Sequence, residues 1–244
     1  MPDTTRRKSG VSGGKKNPPA DEATAGPMTP LPPSVQVPPP PSSLAVNSKA
    51  TTWRKGRKIH RVHHARFAAN QFNPGIGNAR FSPVNDASGK PIPTLYGGGD
   101  FTCAVMESVF HDLPRGAGMK TFDRTRLDNQ VHSVVMPLRD LKLADLGTMP
   151  LKKLGVERRQ LIDTDKDVYA ATRQWAAAFH AQRSDIDGLL WPSRQSDRPA
   201  LVLFGDRVAV SDLDPVGSSR SVGSDPEAML ELVLVAEEVG VEIL

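Results

Sequence analysis

The first 50 residues of this 244-residue chain hold half of its prolines and none of its aromatic residues. Eleven of the 22 prolines lie there, while Phe, Trp and Tyr are absent. Such a segment buries too little apolar surface to offset the conformational entropy lost on folding. We therefore expect residues 1–50 to be a disordered, proline-rich leader and residues 51–244 to form one folded domain.

Charge divides the chain in a similar way. Residues 1–70 carry 12 basic and 3 acidic side chains, whereas residues 71–244 carry 19 basic and 24 acidic ones. A basic leader on a mildly acidic body differs from the uniform basic face of most nucleic-acid-binding proteins. Direct nucleic-acid binding is therefore not expected, although a binding module built on the basic leader and residues 54–66 stays open as an alternative.

Cysteine content and hydropathy limit the class of protein further. The single cysteine, Cys103, excludes an internal disulfide and a multi-cysteine metal site. No apolar run approaches the roughly 20 residues that cross a bilayer, and the first ten residues lack the apolar stretch of a secretory signal. These features predict a cytoplasmic protein without a membrane partner.

The apolar pattern predicts more strands than helices, without strict alternation. This favours an α+β fold, with a mixed β-sheet core and flanking helices, over a doubly wound sheet. Helices are expected at 101–111, 169–182 and 226–239, and strands or extended pieces at 58–62, 79–82, 93–96, 131–136, 141–146, 186–191, 199–204 and 241–244.

Histidine and cysteine positions offer little reactive chemistry of their own. His60, His63 and His64 lack a carboxylate or cysteine at ligand spacing, so no metal site is expected. Cys103 follows Asp100, a predicted helix N-cap whose charge raises the pKa of a neighbouring thiol. A buried structural thiol is the expected role of Cys103.

Other candidate positions are ambiguous when each is taken alone. Gly97-Gly98-Gly99 precedes a helix but lacks the Lys-Ser/Thr of a P-loop and the spacing of a dinucleotide fingerprint. Ser193 lacks a Gly-x-Ser-x-Gly elbow. Glu107 is either an exposed helical residue or a carboxylate at the rim of a cleft, and Arg80 is either a core ion-pair partner or a ligand-binding cation.

Four segments carry these residues in a fixed order. They are Ile59-His-Arg61-Val62; Gly77-Asn-Ala-Arg80-Phe-Ser-Pro83; Leu95-Tyr96 followed by Ala104-Val-Met-Glu107-Ser-Val-Phe-His111; and Asp187-Gly188 through Trp191-Pro-Ser193-Arg194 to Ala200-Leu-Val-Leu-Phe204. Together they resemble the RES domain, the toxin half of a class of bacterial toxin–antitoxin pairs. The resemblance covers residues 53–210; it departs from the family in the missing glycine directly before Arg80 and in the added leader.

The resemblance implies a fold similar to ADP-ribosyltransferases and NAD as the substrate. Cleavage of the nicotinamide–ribose bond passes through an oxocarbenium-like state, which a nearby carboxylate stabilises. Glu107 and Arg80 are the catalytic residues that the resemblance implies, and Arg61, Arg80, Tyr96 and Ser193 are the implied NAD-binding residues. Ser193 would bind the ribose or hold the Glu107 helix against a late strand. No metal and no cofactor beyond NAD is implied.

The resemblance also implies a protein partner. RES toxins are held inactive by a cognate antitoxin, generally a small helical DNA-binding protein of the Xre type whose end covers the NAD cleft. A catalytically silent protein that keeps the RES fold as a binding module is the second alternative. The sequence leaves open whether water, phosphate or a protein accepts the ADP-ribosyl group.

Overall fold

A computed structural model describes residues 36–114 and 116–244 of the chain. The described part is a mixed β-sheet with helices packed against it, which confirms the predicted α+β class. Among these residues, no helix has the length and apolar content needed to cross a membrane.

The described residues form six α-helices and 13 strands. The helices are α1 (Leu44–Asn47), α2 (Phe101–Met106), α3 (Thr148–Lys153), α4 (Arg158–Leu161), α5 (Tyr169–Gln182) and α6 (Pro226–Glu238). The strands are β1 (Ala50–Trp53), β2 (Ile59–His64), β3 (Val84–Asn85), β4 (Pro91–Ile92), β5 (Thr94–Gly98), β6 (Lys120–Phe122), β7 (Gln130–Pro137), β8 (Leu141–Asp145), β9 (Gly188–Pro192), β10 (Pro199–Phe204), β11 (Leu213–Pro215), β12 (Arg220–Ser221) and β13 (Val241–Ile243). The predicted helix at 169–182 and strand at 199–204 are confirmed to the residue as α5 and β10.

Nine of the described strands form the main sheet, in the order β1-β8-β9-β10-β5-β2-β7-β11, with β12 also paired to β7. Neighbours are antiparallel except β8 and β9, which are parallel. Helices α3, α4 and α5 lie between these two strands in the chain and supply the long crossover that a parallel pair requires. Strands β2 and β5 are adjacent at the centre, and β5 leads directly into α2.

Apolar side chains cover both faces of β10, which explains its uninterrupted apolar sequence. Val202 and Phe204 pack in a cluster with Phe179 of α5, whereas Leu201 and Leu203 pack in another cluster. Successive side chains of a strand point to opposite faces, so the two clusters lie on the two sides of the sheet. A third cluster joins α2 to α6.

Residues 36–50 correct the predicted leader. Leu44 is fully buried, and Trp175 Nε1 of α5 donates a hydrogen bond to the Pro38 carbonyl at 2.8 Å. Ala50 begins a strand that pairs with β8. The prediction of disorder is wrong for residues 36–50 because this segment packs on apolar surface supplied by α5. Residues 1–35 lie outside the described residues.

Helix α2 is shorter than the predicted helix at 101–111. Asp100 caps its start as expected, with Oδ1 accepting from the Cys103 N–H at 2.8 Å. The helix ends at Met106 with Glu107 as the C-cap, and turns follow. The Ser108 hydroxyl donates to the Ala104 carbonyl, and this kind of local side-chain bond competes with a regular helix end.

A histidine pair joins β2 to β7, in which His132 is buried and His60 is half-buried. His60 Nδ1 lies 3.1 Å from His132 Nε2, and the two rings stack with centroids 5.2 Å apart. Burial, followed by the proximity of His60 and Arg220, lowers the pKa of His132 from 6.5 to about 3. Between these values the folded protein binds fewer protons at His132 than the unfolded chain does, so falling pH destabilises the fold there.

We expect acid to destabilise the wild type more than a His132→Gln variant. Relative to the variant, the wild-type free energy of unfolding should fall by about 1.4 kcal/mol per pH unit below about pH 6.5 and stay constant at higher pH. Urea unfolding of both proteins between pH 5 and 8 measures the difference. If the difference in free energy of unfolding between the two proteins does not change with pH, the lowered pKa of His132 is contradicted.

Candidate active site

Glu107 lies where two cavities meet. Its side-chain Oε1 is buried and has no hydrogen-bond partner among residues 36–114 and 116–244. Glu107, Ala79 and Ser108 line both cavities. A buried carboxylate oxygen without a donor is energetically unfavourable, so this arrangement is typical of a position where a ligand supplies the missing donor.

We name the two cavities after their tyrosines. The Tyr96 cavity has a volume of about 140 Å³ and is lined by Arg61, Val62, Ala79, Tyr96, Gly97, Ala104, Glu107, Ser108, Trp191 and Ala200. The Tyr169 cavity has a volume of about 220 Å³ and is lined by Asn78, Ala79, Arg80, Glu107, Ser108, His111, Asp112, Lys166 and Tyr169.

Arg61 extends from β2 to the wall of the Tyr96 cavity. Its Nη1 donates to the carbonyls of Ala69 at 2.7 Å and Gln71 at 3.0 Å. Its Nε is buried and has no partner among the residues that the structure describes. Burial lowers the pKa of Arg61 to about 10. The guanidinium therefore stays charged at neutral pH and retains an unused donor.

Arg80 lies in a tight turn rather than in the extended piece predicted at 79–82. The Ala79 N–H donates to the Ser82 carbonyl at 2.9 Å and closes the turn. Arg80 Nη1 donates to the carbonyl of Thr164 at 3.2 Å and to its hydroxyl. The guanidinium carbon lies 5.1 Å from the ring centroid of Tyr169. Arg80 is thus fixed at the edge of the Tyr169 cavity.

Neither arginine has a carboxylate partner in the described part of the chain. Within residues 36–114 and 116–244, no Asp or Glu oxygen lies within the 4.0 Å ion-pair distance of Arg61 or Arg80, although both are buried. Burial lowers the pKa of Arg80. Tyr169 and Glu107 oppose this shift at Arg80, and a bound anion would offset the remaining cost of burying the guanidinium charge. Guanidinium groups bind phosphate oxygens in a bidentate fashion, which lysine does not.

Tyr96 joins the Arg80 turn to β5. Its phenol oxygen accepts from the Phe81 N–H at 2.9 Å, and its ring meets Trp191 edge-on at 6.0 Å between centroids. Burial raises the pKa of Tyr96, so the phenol remains protonated. Tyr96 therefore lines its cavity and also holds the turn that carries Arg80.

Ser193 lines neither cavity, and its implied contact with the ribose of NAD stays a prediction. It is fully buried where β9 ends, and its Oγ accepts from the backbone N–H groups of Gln195 at 3.1 Å and Ser196 at 3.3 Å. Gln195 Nε2 in turn donates to the His111 carbonyl at 3.2 Å. Ser193 thus shapes a loop that contacts the segment following Glu107.

A Ser193→Ala substitution leaves two half-buried N–H groups, those of Gln195 and Ser196, without their acceptor. We expect it to lower the free energy of unfolding by about 1–3 kcal/mol, measured by chemical denaturation. Ser42→Ala, at an exposed position, should leave stability unchanged. Equal stability of the two variants would contradict the role of the Ser193 hydroxyl.

The glycines, the thiol and the histidines have structural contacts. A Cβ atom on Gly98 would lie 2.7 Å from Cys103 Sγ, so the glycine allows α2 to approach β5 closely. Burial, then Glu107 and Asp100, raises the pKa of Cys103 to about 12.

His63 Nε2 lies 2.8 Å from the Ser133 hydroxyl. In the described part of the chain, no three His, Cys, Asp or Glu side chains are grouped to hold a metal ion.

The sequence pattern does not reveal a series of hydrogen-bonded polar side chains in the Tyr169 cavity. His111 Nε2 lies 3.0 Å from the Tyr169 hydroxyl, His111 Nδ1 lies 2.8 Å from Asp112 Oδ1, and Lys166 Nζ lies 2.6 Å from Asp112 Oδ2. The pattern assigns Tyr169 to the apolar face of a helix. The sequence feature that could have indicated His111 is its position four residues after Glu107, on the same face of the predicted helix.

Comparison with known proteins gives two matches. The RES domain family model matches residues 57–223. The fold is similar to that in the crystal structure of the M. tuberculosis MbcT-MbcA toxin–antitoxin complex, with a TM-score of 0.55 and 16% identity over 80% of this chain and 98% of that chain. No curated protein matches the sequence. Because the family model spans more than half of the chain and includes the Glu107 site, the protein is a member of the RES domain family.

Proposed function

We propose that this protein is a toxin that cleaves the nicotinamide–ribose bond of NAD. One observation carries the proposal: among the described residues, Glu107 Oε1 is buried without a hydrogen-bond partner between two cavities, and each cavity contains a buried arginine that forms no ion pair. This combination suits a ligand that has hydroxyl donors and anionic oxygens a short distance apart. The ribose and pyrophosphate of NAD meet that description.

The reaction requires stabilisation of positive charge on the ribose. As the bond to nicotinamide breaks, its electron pair leaves with the nicotinamide nitrogen, and positive charge develops at the anomeric carbon. The Glu107 carboxylate would accept a hydrogen bond from a ribose hydroxyl and stabilise this charge. Arg61 and Arg80 would bind the pyrophosphate, with Arg80 fixing the ribose end, and Tyr96 would pack against the nicotinamide or ribose edge.

The second component of the proposal is an antitoxin. The solved structure with the similar fold is, by its title, a toxin–antitoxin complex. We expect an Xre-type helical antitoxin to cover the cleft at Glu107 in this protein. Growth arrest of cells that produce the wild type alone, with normal growth for Glu107→Gln, is the expected behaviour. Normal growth of both strains would contradict a toxin function.

Loss of NAD with product identification tests the proposed activity. Purified protein is incubated with NAD in three conditions: water alone, inorganic phosphate, and cell extract. Release of nicotinamide supports the proposal, and the second product (ADP-ribose, its phosphorylated form or labelled protein) names the acceptor. No loss of NAD in any condition would favour a catalytically silent RES fold.

A further inference from the structure

We propose that Tyr169, His111 and Asp112 form a proton relay that deprotonates a neutral hydroxyl acceptor, water or a protein side chain, as it attacks the ribose. This inference rests on the proposed function and concerns residues to which the RES resemblance assigns no role. Tyr169, His111 and Asp112 line the same cavity as Glu107. The Tyr169 cavity therefore becomes the acceptor side of the site.

The contacts of His111 fix the direction of the relay. An ionised carboxylate accepts hydrogen bonds and donates none, so the 2.8 Å contact to Asp112 places the imidazole proton on Nδ1. In the neutral imidazole that we assign to the resting site, His111 Nε2 carries a lone pair and accepts the Tyr169 O–H across the 3.0 Å contact. The remaining lone pairs of the Tyr169 oxygen are available to the hydroxyl of an acceptor.

Neighbouring charges support each member of the relay. Burial opposes ionisation of Asp112, but hydrogen bonds from Lys166 and His111 outweigh it and hold the pKa of Asp112 below its usual value. Burial raises the pKa of Tyr169, so this phenol enters the reaction protonated. Arg80 lies over the Tyr169 ring and stabilises negative charge that develops on its oxygen.

The proposed step balances in atoms and charge. The acceptor oxygen bonds to the anomeric carbon while the carbon–nitrogen bond breaks and its electron pair goes to nicotinamide. The acceptor proton moves to the Tyr169 oxygen as the Tyr169 proton moves to His111 Nε2, which gives an imidazolium beside the Asp112 carboxylate. The side chain of His111 is 16% exposed, so it can release one proton to solvent for each NAD consumed.

Tyr169→Phe and His111→Gln test the relay with little change in shape. Phenylalanine keeps the ring beneath Arg80, and glutamine keeps a hydrogen-bonding group without a transferable proton. We expect each variant to lower kcat for NAD hydrolysis in phosphate-free buffer by about 10²–10⁴-fold with little change in KM. His180→Gln, which removes a similar His–Asp pair at Asp206 outside both cavities, is the control and should keep full activity.

An experiment with azide distinguishes a proton relay from a purely structural role of Tyr169 and His111. Azide is an anionic nucleophile that brings no proton, so it should restore NAD consumption by Tyr169→Phe and His111→Gln but not by Glu107→Gln. If wild-type protein consumes NAD and the two relay variants stay within about twofold of it, the relay is wrong while the proposed function stands. The relay would also be wrong if azide did not restore NAD consumption by the relay variants. It would likewise be wrong if the wild type required phosphate dianion, and not a hydroxyl, as the acceptor.

Discussion

Glu107→Gln is expected to lower NAD turnover by about 10²–10³-fold, the usual loss when one preorganised electrostatic contact to the transition state is removed. Glutamine has nearly the same shape as glutamate but no negative charge, so the developing charge on the ribose loses its main stabilising group. NAD binding should change little, because Arg61 and Arg80 remain in place. Nicotinamide release measures turnover, and calorimetric titration with NAD measures binding.

Glu242→Gln is the matched control for this experiment. Glu242 is exposed on β13 and lines neither cavity, so its variant should consume NAD at the wild-type rate. Turnover by Glu107→Gln equal to that of Glu242→Gln would remove Glu107 from the mechanism.

Gly188→Ala is expected to have the largest effect on stability. Gly188 lies in β9 between β8 and β10, paired with Leu143 and Leu203. A Cβ atom there would lie 2.0 Å from the carbonyl oxygen of Val202, a backbone atom that cannot move without separating two strands. Overpacking of this kind costs about 1–3 kcal/mol and occasionally more, and we expect the upper end of that range or beyond.

Chemical denaturation of Gly188→Ala against Gly116→Ala measures this effect. A Cβ atom on Gly116 meets nothing within 4 Å, so the second variant should match the wild type. Equal stability of the two variants would contradict the close approach of β9 and β10. Because β9 carries Trp191 into the Tyr96 cavity, a destabilised β9 should also weaken NAD consumption.

Local patterns predict the main elements of this fold well. The strands near 131–136 and 199–204 and the helix at 169–182 have apolar patterns that match their periods, and the structure confirms them. The prediction of disorder for residues 36–50 is wrong because their order depends on α5, where Trp175 binds the Pro38 carbonyl 137 residues earlier in the chain. Composition describes what a segment can bury by itself and does not describe the surfaces that other segments supply.

The candidate site, like the fold, contains residues that the sequence predicts and residues that it does not. Arg61, Arg80, Tyr96 and Glu107 could be selected from the order of their motifs, and the structure brings them to two adjoining cavities. The hydrogen bond of His111 to Tyr169 joins positions 58 residues apart, and no local pattern indicates it. Ser193 follows the predicted late strand, as the motif order indicates. The motif order does not show that Ser193 is buried, because its burial depends on the loop that its hydroxyl closes by accepting from the Gln195 N–H.

The position of bound NAD decides whether Glu107, Arg61 and Arg80 have the proposed roles. A crystal structure of the Glu107→Gln protein with NAD, in which slow turnover preserves the substrate, tests this most directly. We expect a ribose hydroxyl within hydrogen-bond distance of residue 107 and the pyrophosphate beside Arg61 and Arg80. NAD bound elsewhere, for example in the separate cavity at Thr148, Lys152 and Arg158, would contradict the central claim.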